Sequence, residues 1–133
     1  MEILHPDDWK PPIGYSNGIK VHASGELLFI AGQVGWNAGQ IFESVELAPQ
    51  FEQALKNVLA VLASGGGAPE HICRMTAYCC DKPQYLAVRR QLGGIWRSLM
   101  GAHYPATSMI FVADLLDHPG LIELEATAVI PAG

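Results

Sequence analysis

Hydrophobic and polar positions along the chain repeat with two different periods, and the switches between them mark the elements. Near the C-terminus the period is two: Ile122, Leu124, Ala126, Ala128 and Ile130 fall on one side, Glu123, Glu125, Thr127 and Val129 on the other. This is the pattern of a strand with unlike faces. Two carboxylates on one face need water, a second chain or a ligand to meet them. Ile72 to Cys80 alternates in the same way, with Cys73, Met75, Ala77 and Cys79 against the more polar set Ile72, Arg74, Thr76, Tyr78 and Cys80. A helical period governs two other stretches. Phe51, Leu55, Val58, Leu59 and Leu62 form one stripe, with Pro49 in the first turn and Ser64-Gly65-Gly66-Gly67 closing it. Asp81 is a natural cap for the second helix and Pro83 suits its first turn. Its stripe is Tyr85, Val88, Leu92, Ile95, Trp96 and Leu99, and it runs to about Met100 before Gly101. On a helical wheel Arg90 and Arg97 fall outside that stripe. Arg89 lies about 40° from Tyr85, at the stripe's edge, where a guanidinium must reach water or meet an anion.

Residues 1–12 read as irregular, punctuated by Pro6, Pro11 and Pro12. Ile19, Val21 and Ala23 then alternate with Lys20 and His22, Ser24-Gly25-Glu26 suggests a tight turn, and Leu27 to Ala31 is an apolar run. The expected structure is a hairpin ended by Gly32, where a missing side chain lets a ligand or a neighbouring chain approach the backbone. The whole order is strand-strand-helix-strand-helix-strand-strand. That is an α+β fold, a mixed β-sheet with two helices packed on one face. The second face, partly polar but holding Ile72, Tyr78 and Val129, is expected to be buried by self-association.

At 133 residues the chain reads as one domain, residues 1–133. Half its residues are hydrophobic and mean hydropathy is +0.19, which argues against disorder. A net charge of −5 and no basic patch argue against nucleic-acid and anionic-membrane partners. The first residues, Met1-Glu2-Ile3-Leu4-His5-Pro6, lack the basic start and apolar centre of a signal peptide, and no run reaches membrane-spanning length. Cys73, Cys79 and Cys80 have no metal-type spacing, and adjacent strand cysteines point to opposite faces. They read as small core residues of a reduced, cytoplasmic protein. The five histidines are scattered, so neither a metal nor another cofactor is expected. The glycine run closes a helix without a following Gly-Lys-Ser/Thr and is not a phosphate loop. No Ser-His-Asp arrangement stands out.

Several segments, taken in order, resemble the signatures of the RidA/YjgF family. They are Gly14-Tyr15-Ser16, Leu28-Phe29-Ile30-Ala31-Gly32-Gln33, Gln50 to Asn57 continuing through Leu62, Pro105-Ala106, and Ile122-Glu123-Leu124-Glu125-Ala126-Thr127-Ala128. The resemblance spans roughly residues 11–130. It implies a chorismate-mutase-like topology and a barrel-like homotrimer with sites between subunits. It also implies a small-molecule metabolite as partner and hydrolysis of a reactive enamine or imine to a carbonyl compound and ammonia. It assigns Glu123 the task of positioning or activating water and puts Tyr15 on the substrate side. Backbone near Gly32 and Met109 would hold a carboxylate or developing charge. The family's deaminases carry a carboxylate-binding arginine directly after Pro-Ala, and here that position is Thr107. Threonine supplies no charge. Either the 2-iminoacid activity is lost, or the substrate differs (an aminated ring-cleavage product such as 2-aminomuconate), or another cation serves. Arg89, at a position of a site-facing asparagine in bacterial deaminases, is the candidate, weighed against an interface salt bridge. Glu125 is expected to take a structural ion pair such as one to Arg74, and His103 lies near the proposed cleft. The alternative is a non-enzymatic trimer that binds a metabolite or acts as a chaperone-like module. A ribonuclease or translation inhibitor is disfavoured by the acidic charge.

Overall fold

The computed structural model describes residues 1–132 and arranges them in six strands and two long helices. In chain order these are β1 (Glu2–Leu4), β2 (Gly18–Lys20), β3 (Glu26–Val34), α1 (Leu47–Ser64), β4 (Ile72–Cys79), α2 (Lys82–Met100), β5 (Ala106–Phe111) and β6 (Ile122–Ile130). A single 3₁₀ turn, Pro69–His71, leads into β4. The main sheet has the order β3-β6-β4-β5, with β6 antiparallel to both neighbours and β4 parallel to β5. A parallel pair needs a crossover, and α2 supplies it.

The alternation of β6 sets the layers. Ile122, Leu124, Ala126, Ala128 and Ile130 are all buried, and the first four share one core with Leu55, Val58 and Leu62 of α1. Each such aliphatic side chain contributes about 1.5–3 kcal/mol by leaving water. The N-termini of the two helices are tied together. The Asp81 carboxylate accepts from the Gln84 backbone N–H at 3.0 Å, while the Gln84 side-chain Oε1 accepts from Leu47 N–H at 2.6 Å. Glu46, at the cap of α1, makes no such bond itself, so a residue of α2 caps α1. The helices nevertheless dock unequally. α1 buries eight residues, whereas α2 buries only Leu92 and Met100 and leaves Tyr85, Val88, Ile95, Trp96 and Leu99 half-exposed.

Four local expectations need correction. Residues 1–12 are not wholly irregular, because β1 pairs antiparallel with β2 in a separate two-stranded ribbon, Ile3 opposite Ile19. The expected hairpin between β2 and β3 does not form. β3 pairs instead with the nine-residue β6, which offers a longer partner than the three residues of β2. Gly32 does not end its strand: β3 runs on to Val34 through a bulge, three residues from Ile30 to Gln33 facing two from Ala126 to Leu124. A second bulge lies at Cys73, since Ile72 faces Ala128 and Arg74 faces Thr127. The extra residue turns Ile72 into the core, where it is fully buried, and not onto the mixed face its spacing suggested.

Candidate functional site

The segment before β2 builds one wall of a cavity. Gly14 has a φ of +79°, a conformation that L side chains rarely adopt. Ser16 follows, its hydroxyl donating to the Tyr104 carbonyl at 2.6 Å and its backbone N–H to the Pro105 carbonyl at 3.1 Å. These bonds lay residues 13–16 along the start of β5 and hold Tyr15 at a cavity of about 530 Å³ between α2 and the sheet. Thr107 and Met109 line it from β5 and Ala77 from β4, on the face that β6 presents through Leu124. Met75 opposes Thr107 and Ala77 opposes Met109, so the two β5 side chains project to the helix side. The Thr107 hydroxyl donates to the Pro105 carbonyl at 3.0 Å. A stacked pair, Trp96 and Tyr104 with ring centroids 6.1 Å apart, forms an aromatic wall. Trp96 Nε1 donates to the His103 carbonyl, and the His103 ring bonds the Ile72 carbonyl at 2.7 Å, a structural role for that histidine.

From α2 the cavity receives a row at four-residue spacing, Tyr85, Arg89, Gly93 and Arg97. Arg89 faces the cavity. Arg97, placed outside the apolar stripe by wheel geometry, faces it too. The missed signal was the row itself: residues four apart share a helix face, and a glycine in the middle leaves space beside it. Neither arginine has an ion-pair partner among the described residues, and no carboxylate lines the cavity among them.

Glu123 and Gly32 meet elsewhere, on the opposite face of the sheet. The bulge in β3 brings Gly32 against Glu123, such that a Cβ on residue 32 would lie 2.7 Å from the carboxylate carbon. The close approach at Gly32, expected of a ligand or a neighbouring chain, is made here by Glu123 of the same chain. Among the described residues no side chain donates a hydrogen bond to the Glu123 carboxylate or forms an ion pair with it. Burial pushes its pKa above the ordinary glutamate range, and the negative charges of Asp117 and Glu125 push it further. Glu125 accepts a hydrogen bond from the Tyr78 hydroxyl at 2.8 Å, while the expected ion pair to Arg74 is not formed. The hydrogen bond to Glu125 in turn raises the Tyr78 phenol. This face also exposes large apolar groups, Leu27 at 59% and Phe29 at 72%.

The six residues singled out from the sequence thus fall into two groups. Tyr15, Arg89, Thr107 and Met109 surround the cavity, and Gly32 and Glu123 lie across the sheet. Glu123 and Leu124 are adjacent on one strand, so when Leu124 lines the cavity Glu123 points away from it. The cavity can hold an anion with an apolar body; the opposite face can accept a proton. Burial raises the thiols of Cys73, Cys79 and Cys80, which leaves them poor nucleophiles.

Residues 7–130 match the sequence profile of the family described as Endoribonuclease L-PSP. The chain is similar to YyfB of Yersinia pestis, a Rid-family protein of unknown function. The identity is 34%, the match covers 97% of this chain and 98% of that one, and the TM-score is 0.83. It is 30% identical over 131 residues to DfrA of Myxococcus xanthus, covering 96% and 95% of the two chains. It is 27% identical over 128 residues to a RutC family protein of Haemophilus influenzae, covering 96% of each.

Proposed function

This chain belongs to the endoribonuclease L-PSP family, the RidA/YjgF proteins, and from that premise we propose that it is an enamine/imine deaminase-type hydrolase. The reactive site forms where the cavity of one copy meets the Glu123 face of another, in a homotrimer. The observation that carries this reading is Arg89, free of a carboxylate partner among the described residues, in the same cavity as Thr107 and Met109. It supplies the cation that Thr107 lacks. The substrate carboxylate binds Arg89, and the apolar walls take the carbon chain. A Glu123 carboxylate from the facing copy accepts a proton from water as the water oxygen adds to the iminium carbon. The resulting carbinolamine collapses to the carbonyl compound, its nitrogen taking a proton and leaving as ammonia. A carboxylate raised by burial is better matched to proton transfer near neutral pH than an ordinary one. The three free thiols fit a reducing, cytoplasmic setting.

The test is ammonia release from 2-iminobutanoate generated in situ, for the wild type beside Arg89→Ala and Glu123→Ala. Turnover in the wild type that both variants lose is the expected result. No turnover in the wild type would sink the 2-iminoacid reading. The neutral Thr107 favours one alternative, a trimer that binds a small metabolite, or acts as a chaperone-like module, without chemistry. In that case ligand binds with no ammonia released.

A further inference from the structure

The cavity holds two cations where a simple 2-iminoacid needs one. Arg89 and Arg97 both line it from α2, with Gly93 midway between them. The Arg97 side chain folds back along the helix: its Nη1 lies 3.7 Å from where a Cβ on Gly93 would stand. Long side chains on a helix lean toward its N-terminus, so each guanidinium sits short of its own Cα. Eight residues of helix rise about 12 Å and both side chains lean the same way, so the two charges stay about two helical turns apart. No carboxylate of the described residues neutralises either one, although the chain as a whole carries a net charge of −5. The rest of the lining is largely aromatic and aliphatic, with Tyr85, Trp96, Tyr104 and Met109. Two unpaired guanidiniums beside a flat apolar wall are complementary to one class of ligand.

We propose that the cavity takes a dianion, a small dicarboxylate with a flat, apolar body, with one carboxylate on Arg89 and the other on Arg97. Gly93 keeps the floor between the two charges open. Arg97 is then the specificity-determining residue of the cavity, separating dicarboxylates from monocarboxylates of the same shape. This rests on the reading of the cavity as the ligand site, but not on deaminase chemistry.

The test is a calorimetric titration of the intact protein with terephthalate and with 4-methylbenzoate, which share a ring and differ by one carboxylate. The expected result is terephthalate binding at least about tenfold tighter, the effect of one more charge-assisted pair. Arg97→Gln removes that advantage, bringing the two probes to equal affinity, with its melting temperature as the control for folding. Arg97 is exposed and unpaired among the described residues, so the variant is expected to fold. Equal affinity of the wild type for the two probes, or a terephthalate advantage that survives Arg97→Gln, overturns the dianion inference and leaves the cavity as a ligand site. Binding of neither probe overturns both. Ammonia release does not enter the titration, so failure of the deaminase reading shows up separately.

Discussion

The two faces of the main sheet carry opposite chemistry on the same strands. Toward the helices β6 presents Leu124, and the cavity there is apolar, lined by two arginines and no carboxylate among the described residues. Away from the helices β6 presents Glu123 and Glu125, beside exposed Leu27 and Phe29. One period-two register produces both. The separation has an electrostatic consequence. A guanidinium beside Glu123 would stabilise its carboxylate and lower its pKa, whereas its actual neighbours, burial and two acids, raise it. Within one chain the arginines of the cavity and the Glu123 carboxylate therefore do not neutralise each other.

If the faces divide the work in this way, their variants separate kinetically. Glu123→Gln is expected to lower kcat by about 10²–10⁴-fold with little change in KM, the range for a lost acid–base group. Arg89→Gln is expected to act mainly on KM, raising it about tenfold. Steady-state ammonia release decides it, and a Glu123 variant that changes KM alone would break the division. Stability against pH gives a second view of Glu123. Its folded pKa is raised, so the folded chain holds the proton more tightly than the unfolded one. Between the ordinary glutamate range and the raised folded value, stability falls as pH rises. Glu123→Gln removes this slope and is the more stable protein at neutral pH, as urea unfolding at several pH values would show.

The next largest effect concerns the open face itself. Phe29 is 72% exposed in the single chain, on the edge strand of the sheet. If a second copy covers it, Phe29→Asp places a charge in the interface and costs about 2 kcal/mol or more of association. Sedimentation is then expected to show a trimeric wild type and a dissociated variant that still folds and has lost deaminase turnover. A monomeric wild type would leave the open face without its partner.

The same contrast explains what the sequence revealed. The faces of β6 were legible because one is buried beneath the helices and the other stays half-exposed, so composition follows burial residue by residue. The two bulges were not, because an added residue shifts a side chain to the other face without altering the local composition. Ile72 was misplaced for that reason. The pairing of β2 was misread because alternation at Ile19, Val21 and Ala23 identifies an extended segment but not its partner. Arg89 was found from its angle to the apolar stripe. Arg97 was missed because α2 stands off the sheet: a cavity, unlike a packed core, is lined by a wider arc of the helix than its buried residues mark. Gln50, fully buried on α1, reads from sequence as a polar helix residue. In the fold it accepts from Leu121 N–H at 2.7 Å and donates to the Ser44 and Pro119 carbonyls, fixing the chain just ahead of Glu123. Those partners lie in loops, where periodicity carries no signal.

The smallest expected effect separates the cavity from the helix that lines it. Gly93 and Gly94 are neighbours in the interior of α2, and each raises the conformational cost of folding relative to alanine. Replacing either by alanine is expected to stabilise the protein by about 0.5–1 kcal/mol, read as a rise of a few degrees in melting temperature. An added methyl at Gly94 meets nothing within 4 Å. At Gly93 the same methyl enters the cavity lining, in contact with the Arg97 guanidinium at 3.7 Å. The two variants should therefore match in stability and differ in binding, with only Gly93→Ala changing the preference for terephthalate over 4-methylbenzoate. Equal changes in that preference would mean that the backbone freedom of α2, and not the space between its arginines, sets what the cavity accepts.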